Sequence, residues 1–140
     1  MMNTIERAEQ QFINDYIEVG DWLLQFQMMI ELTDDVESIP EEERCEENRI
    51  RSCQSMVWVD CRMDNGKMLI REYSDSLIIR AVLAVYVYLI NRHTPEEIVA
   101  FSPRYVSETS LKEQLNSDRQ NGFASIVEKI RKYAAKQLDR

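Results

Sequence analysis

The chain has 140 residues, which suits one domain, and its hydrophobic fraction of 44% supplies a core that a disordered chain lacks. Its formal net charge of −8 argues against nucleic-acid binding, which needs a surplus of Lys and Arg to meet the phosphates. The charge is uneven: residues 1–70 carry 16 acids and 6 bases, residues 71–140 carry 9 and 11, and residues 31–47 hold nine carboxylates against Arg44 alone.

In chain order, residues 4–18 read as a helix with Ile5, Ala8, Phe12 and Tyr16 on one stripe. Gly20 interrupts it. Asp21 is a good N-cap for a second helix in which Leu23, Phe26 and Ile30 share a face. Residues 33–48 hold Pro40 and most of the acids and read as a loop or frayed turn. Their charge suits a solvated face or a docking patch for a basic partner. Residues 55–62 alternate like a strand, with Val57, Val59 and Cys61 on one side and Met56, Trp58 and Asp60 on the other. Asp64-Asn65-Gly66 is a tight-turn signal, and residues 67–73 continue as a second strand, so the segment predicts a β-hairpin. An isolated hairpin is marginal, so a third strand or covering helices are expected.

Ser74 or Asp75 can cap the next helix, residues 77–91, which is apolar nearly all round and so belongs at the centre of the fold. Thr94-Pro95-Glu96-Glu97 is a capping box with proline in the first turn, opening a short helix that ends near Phe101. A helical turn is expected around residues 109–115. A last helix over residues 117–138 is capped by Ser117 with Gln120 and turns Phe123, Ile126, Val127, Ile130, Tyr133 and Ala134 inward. Gly122 within it suggests a close backbone approach, with the Cys53 segment as a candidate. The expected fold class is α+β, a small antiparallel sheet with helices packed on it, in a single domain over residues 1–140.

Three cysteines, Cys45, Cys53 and Cys61, with no apolar leader at the start, argue for free thiols in a cytoplasmic, reducing setting rather than a disulfide framework. The apolar run from Leu77 to Ile90 is interrupted by Arg80 and is too short to span a bilayer, so no membrane partner is expected. Cys53 lies between a polar stretch and a strand, where a thiol can meet a partner. Arg49 and Arg51 place positive charge nearby, which favours the reactive thiolate. Cys61 alternates with core residues and reads as a buried structural thiol. Cys45 sits among Glu43, Glu46 and Glu47, a poor setting for an anionic nucleophile. The spacings of eight and eight residues contain no Cys-x-x-Cys pair, and His93 reads as a surface or capping residue, so no metal site is expected. No phosphate-binding glycine loop, nucleophile elbow or paired helical histidines are present.

The ordered blocks Asp21-Trp22, Ile30-Glu31-Leu32, Glu47-Asn48-Arg49-Ile50, Cys53-Gln54-Ser55-x-Val57-Trp58, Ser74-Asp75-Ser76, Ile79-Arg80, Thr94-Pro95-Glu96-Glu97-Ile98 and Arg119-x-Asn121-Gly122 resemble the SufE and CsdE sulfur acceptors. Ser52 stands where that family usually has glycine. The resemblance implies a fold like that of the IscU scaffold proteins. It also implies a function in which Cys53 takes sulfur as a persulfide from a pyridoxal-phosphate cysteine desulfurase of the SufS or CsdA kind. The acceptor then raises the desulfurase's turnover and delivers the sulfur to an iron–sulfur scaffold such as SufBCD. It implies no cofactor on this chain beyond the transient persulfide, and an accessory role rather than a stand-alone enzyme. By the same resemblance, Arg51, Gln54, Asp75 and Arg119 are candidates for supporting the cysteine segment or meeting the partner. Monomer and homodimer both stay open. A non-catalytic adaptor docking through its acidic stretch, or an IscU-like cluster scaffold, are the alternatives.

Overall fold

The structure is a computed structural model that describes residues 2–51 and 55–139. Two helices come first, α1 (Thr4–Val19) and α2 (Trp22–Leu32). Asn3 and Glu6 form a reciprocal capping box at the start of α1, and Gly20 closes it at φ 72°, a conformation that glycine adopts without strain. Asp21 caps α2 by accepting from the Leu24 N–H.

The buried lines of these helices differ from the expected stripes, and polar residues are the reason. In α1 the buried line is Ile5, Glu9, Ile13 and Tyr16, while Ala8 is exposed. Glu9 holds its interior place through its carboxylate, which accepts from the Arg104 and Tyr105 N–H groups and pairs with the Arg104 guanidinium at 3.3 Å. In α2, Leu23 and Leu24 are exposed while Gln25 and Met29 are buried. Gln25 is satisfied inside because its amide donates to the Tyr16 carbonyl at 2.8 Å.

The sheet has the order β1 (Arg49–Ile50), β2 (Val57–Asp64), β3 (Lys67–Ser74), all antiparallel. Asn65 at φ 53° and Gly66 at φ 82° close the β2–β3 hairpin, the positive-φ pair that a two-residue turn between twisted strands requires. From this turn the register runs Asp64↔Lys67 to Val57↔Ser74. The outer edge of β3 is covered by three different groups. Met68 N–H donates to the His93 carbonyl, Ile70 N–H to Asn91 Oδ1, and Glu72 N–H to the Glu37 carbonyl. No ladder donor among these is left open for pairing with another chain.

One sheet face presents Val57, Val59, Cys61, Met63, Met68, Ile70 and Glu72 to the interior. Helix α3 (Leu77–Ile90) packs behind it, with Ala81 through Val87 all buried. Its cap is Ser76, which accepts from the Ile79 N–H, and neither of the expected residues, Ser74 and Asp75, takes that role. Ser74 Oγ accepts from the Ser76 N–H just ahead of the helix, and the Asp75 carboxylate is engaged elsewhere. Then come α4 (Pro95–Ala100), with the expected Thr94/Glu97 capping box, α5 (Leu111–Gln114) and α6 (Ser117–Leu138). Asn116, not Ser117, caps α6, and Gln120 instead donates to the Lys112 and Leu115 carbonyls, tying α5 to α6. Phe123, Ile126, Val127, Ile130 and Ala134 face inward, as their spacing predicts.

The acidic stretch is folded down rather than frayed. It forms three 3₁₀ turns, Thr33–Asp35, Glu41–Glu43 and Glu46–Asn48. Ser38 makes a parallel bridge to Glu72, and Val36 and Ile39 are buried. Among its nine carboxylates, Glu43 pairs with Arg71, which also holds Asp60 at 2.6 Å.

Glu72 faces the apolar interior opposite Val59, and its Oε1 has no hydrogen-bond partner among the described residues. Burial pushes its carboxyl from 4.5 up to about 8, against the pull of the nearby Arg80 charge. The folded protein therefore keeps a proton that the unfolded chain gives up, so stability is full below the unfolded value of 4.5 and falls as pH rises toward about 8. The loss is at most ~1.4 kcal/mol per pH unit within that window. Urea unfolding at a series of pH values should show this decline in the wild-type chain and a flatter profile in Glu72→Gln. Parallel profiles would contradict it.

Candidate functional site

The described chain leaves β1 at Ile50 and Arg51 and enters β2 through Ser55 and Met56, so residues 52–54 bridge two adjacent antiparallel strands. Cys53 and Gln54 lie outside the described residues. Both ends of the bridge are fixed. On one side, Ile50 is buried and pairs with Val57. On the other, the Met56 N–H donates to Asp75 Oδ1 at 2.9 Å and the Asp75 N–H donates to the Met56 carbonyl at 3.1 Å. These two bonds add one rung to the β2–β3 ladder beyond Val57↔Ser74. Asp75 thus joins the start of α3 to the end of the cysteine-bearing segment. Exposed Met56 and Leu77 flank it.

The opposite sheet face carries a group that sequence reading missed. Trp58 and Tyr73 are direct cross-strand partners, with ring centroids 6.1 Å apart. The Arg44 guanidinium lies 3.4 Å from the Tyr73 ring centroid, and that of Arg80 lies 4.3 Å from it. Arg80 also donates twice to the Ser74 carbonyl, and Arg44 Nε donates to the Ile39 carbonyl. The stack therefore pins the acidic stretch, β3 and the first turn of α3 to one ring. It also explains why Trp58, on the outward face by alternation, is buried. Counting back from Asn65-Gly66 pairs Trp58 with Tyr73 from sequence alone. The two arginines come from distant segments and leave no local signal.

Arg51 is exposed and forms an ion pair with Glu46, which also lies 3.7 Å from Arg49. The positive charge expected beside Cys53 is thus shared with a carboxylate from the preceding turn. Arg119 sits in the first turn of α6, where its N–H donates to Asn116 Oδ1. Gly122 is buried one turn later. Any approach of Arg119 or Gly122 to Cys53 falls on residues outside those described. His93 Nδ1 lies 3.1 Å from Glu97 Oε2, so this histidine supports the α4 cap. Among the described residues, no group of three or more His, Cys, Asp and Glu side chains is placed to hold a metal ion.

Cys61 is partly exposed as a residue, but its thiol is pushed up to about 12, chiefly by burial and further by Asp60, with Lys129 acting the other way. It is a thiol, not a thiolate, near neutral pH. Cys45 is exposed, with its sulfur 3.6 Å from Asn48 Oδ1.

The family model described as "SufE: Fe-S metabolism associated domain" matches residues 10–134. Among solved structures, the chain is similar to a solution structure titled as a hypothetical protein from Thermus thermophilus. The TM-score is 0.76 at 17% identity, covering 98% of this chain and 97% of that one. At that identity the likeness establishes the fold. It agrees with an α+β molecule built on a three-stranded antiparallel sheet.

The Asp75 rung generates a direct test. Asp75→Ala removes the acceptor for the Met56 N–H, at a cost of roughly 1 kcal/mol or less for an exposed bond. Hydrogen exchange at the Met56 amide should speed up several-fold while the amides of buried α3 keep their protection. Unchanged exchange at Met56 would show that the carboxylate does not hold it.

Proposed function

The chain belongs to the SufE family, whose domain is associated with iron–sulfur metabolism, and on that footing we propose that it is a sulfur acceptor working through Cys53. The observation that carries this reading is the family match over residues 10–134, which spans the Cys53-Gln54-Ser55-x-Val57-Trp58 motif. The described geometry supports it, because the residues on either side of that cysteine are held by the sheet, Ile50 by its pairing with Val57 and Met56 by its bonds to Asp75. A reactive thiol on such a short bridge can meet a partner without any rearrangement of the core.

The donor is the persulfide that a pyridoxal-phosphate cysteine desulfurase forms on its own cysteine. The Cys53 thiolate attacks the terminal sulfur of that persulfide. A bond forms between Cys53 Sγ and the transferred sulfur, the donor's S–S bond breaks, and the donor cysteine leaves as a thiolate. Cys53 then carries the persulfide to a scaffold that builds the cluster. Removing the product sulfur frees the desulfurase for its next turnover. The cofactor belongs to the desulfurase, and this chain supplies the thiol and its placement. The reaction suits a reducing compartment in which free thiols persist. No helix among the described residues is long and apolar enough to cross a membrane.

The acidic surface left by Glu41, Glu42 and Glu47 suits a basic face on a partner, and it keeps a non-catalytic adaptor in view as the second reading. Desulfurase turnover separates the two. Added to a matched desulfurase with cysteine as substrate, the wild-type chain should raise sulfide or alanine production several-fold. Cys53→Ser should leave it at the basal rate while still binding. A Cys53→Ser chain that stimulates as well as the wild type would replace the acceptor reading with the adaptor.

A further inference from the structure

Two thiols outside the Cys53 segment line one cavity. It has a volume of about 270 Å³ and is walled by Cys45, Glu47 and Asn48 on one side, Val59, Asp60 and Cys61 on another, and Lys129 and Tyr133 of α6 on the third. The chain path explains the meeting. Strand β1 covers β2 only opposite Val57 and Trp58, and the turn Glu46–Asn48 that precedes it lies along the next part of β2. Cys45 caps that turn and is exposed, whereas Cys61 points into the interior face of the sheet. Neither is in a disulfide.

We propose that Cys45 and Cys61 form a dithiol site for thiol–disulfide exchange, in which Cys45 receives a low-molecular-weight disulfide and Cys61 resolves it. The asymmetry between the two thiols sets the order of events. Cys45 is open to reagents in solution, and this access, rather than any favour from its glutamate neighbours, makes it the first of the two to react. Cys61 is kept protonated by burial, so it stays silent toward them and reacts only with a sulfur delivered across the cavity. The Cys45 thiolate attacks one sulfur of the disulfide RSSR, forming a Cys45–S–S–R bond and releasing RS⁻. The Cys61 thiol gives its proton to the departing thiolate and attacks Cys45 Sγ. The Cys45–Cys61 bond forms, the bond to R breaks, and the second R leaves as RSH, while the RS⁻ released in the first step takes up a proton from solvent. Two electrons pass from the protein pair to RSSR, which ends as two RSH. Lys129 lies beside Cys61 and stabilises the negative charge that develops there as the proton leaves. The bond fastens the turn Glu46–Asn48 to β2, immediately ahead of β1 and residues 52–54.

The site is independent of sulfur acceptance, so its test is run in a Cys53→Ser background. The probe is hydroxyethyl disulfide, uncharged so that Glu43, Glu46 and Glu47 do not repel it. Intact mass after quenching should show loss of two hydrogens, and digestion should yield a single linked species joining the Cys45 and Cys61 peptides. Cys61→Ser should stop the reaction at a stable Cys45 mixed disulfide. Cys45→Ser should give neither product, because the buried thiol does not start the exchange. A mixed disulfide on Cys45 that persists with Cys61 present, or a Cys45 that alkylates freely but never links, would overturn the proposal. Cys61 reacting equally well without Cys45 would do the same. Circular dichroism of each variant establishes that it is folded before it is scored.

Discussion

Asn65 and Gly66, both at positive φ, close β2 and β3 with a two-residue turn, and that turn sets the register of every pair behind it as far as Val57 and Ser74. A slip by one residue would turn Val57, Val59 and Cys61 outward and leave α3, apolar on almost every side, facing polar groups. The register also places Trp58 against Tyr73 and Met56 against Asp75. The first contact builds the aromatic and arginine layer that holds down the acidic stretch. The second fixes where the cysteine-bearing segment rejoins the sheet.

From that ladder the rest of the molecule is added by covering its faces and edges. Helices α3 and α6 cover the inner face, and the acidic stretch covers the outer one through Arg44 on Tyr73 and Glu43 on Arg71. Asn91, His93 and Glu37 satisfy the outer edge of β3. On the other side β1 is only two residues long, and the segment that carries Cys53 follows directly from this short strand. The fixed framework thus brackets the proposed chemistry. Ile50 and Met56 are held by the sheet, and Cys53, the proposed acceptor, falls between Arg51 and Ser55 in the chain.

Much of this architecture was legible in the sequence wherever a local rule governs. Asn-Gly at the turn, the apolar run of α3, the Thr94 capping box and the inner face of α6 all have short-range causes, and each appears in the structure. The stripes of α1 and α2 were not legible. Glu9 and Gln25 occupy core lines only because Arg104, Tyr105 and the Tyr16 carbonyl, far along the chain or on another helix, satisfy them. The same is true of Arg44 and Arg80 meeting on Tyr73, and of the acidic stretch, whose charge suggested solvent but whose Val36 and Ile39 are buried. The cap of α3 is Ser76 rather than Ser74 or Asp75 for a related reason, since Ser74 Oγ accepts from the Ser76 N–H and the Met56 N–H claims the Asp75 carboxylate. At the site itself, the sequence motif singles out Cys53 as the proposed acceptor, and the structure describes the residues on either side of it.

The acceptor reading rests on one sulfur atom arriving at one residue. The most direct measurement is intact-protein mass spectrometry after incubation with a matched cysteine desulfurase and cysteine, followed by peptide mapping under non-reducing conditions. The account predicts the gain of one or more sulfur atoms, confined to the peptide containing Cys53 and removed by reductant. No gain at a Cys53 that alkylates freely, or a gain that maps instead to Cys45 or Cys61, would contradict it.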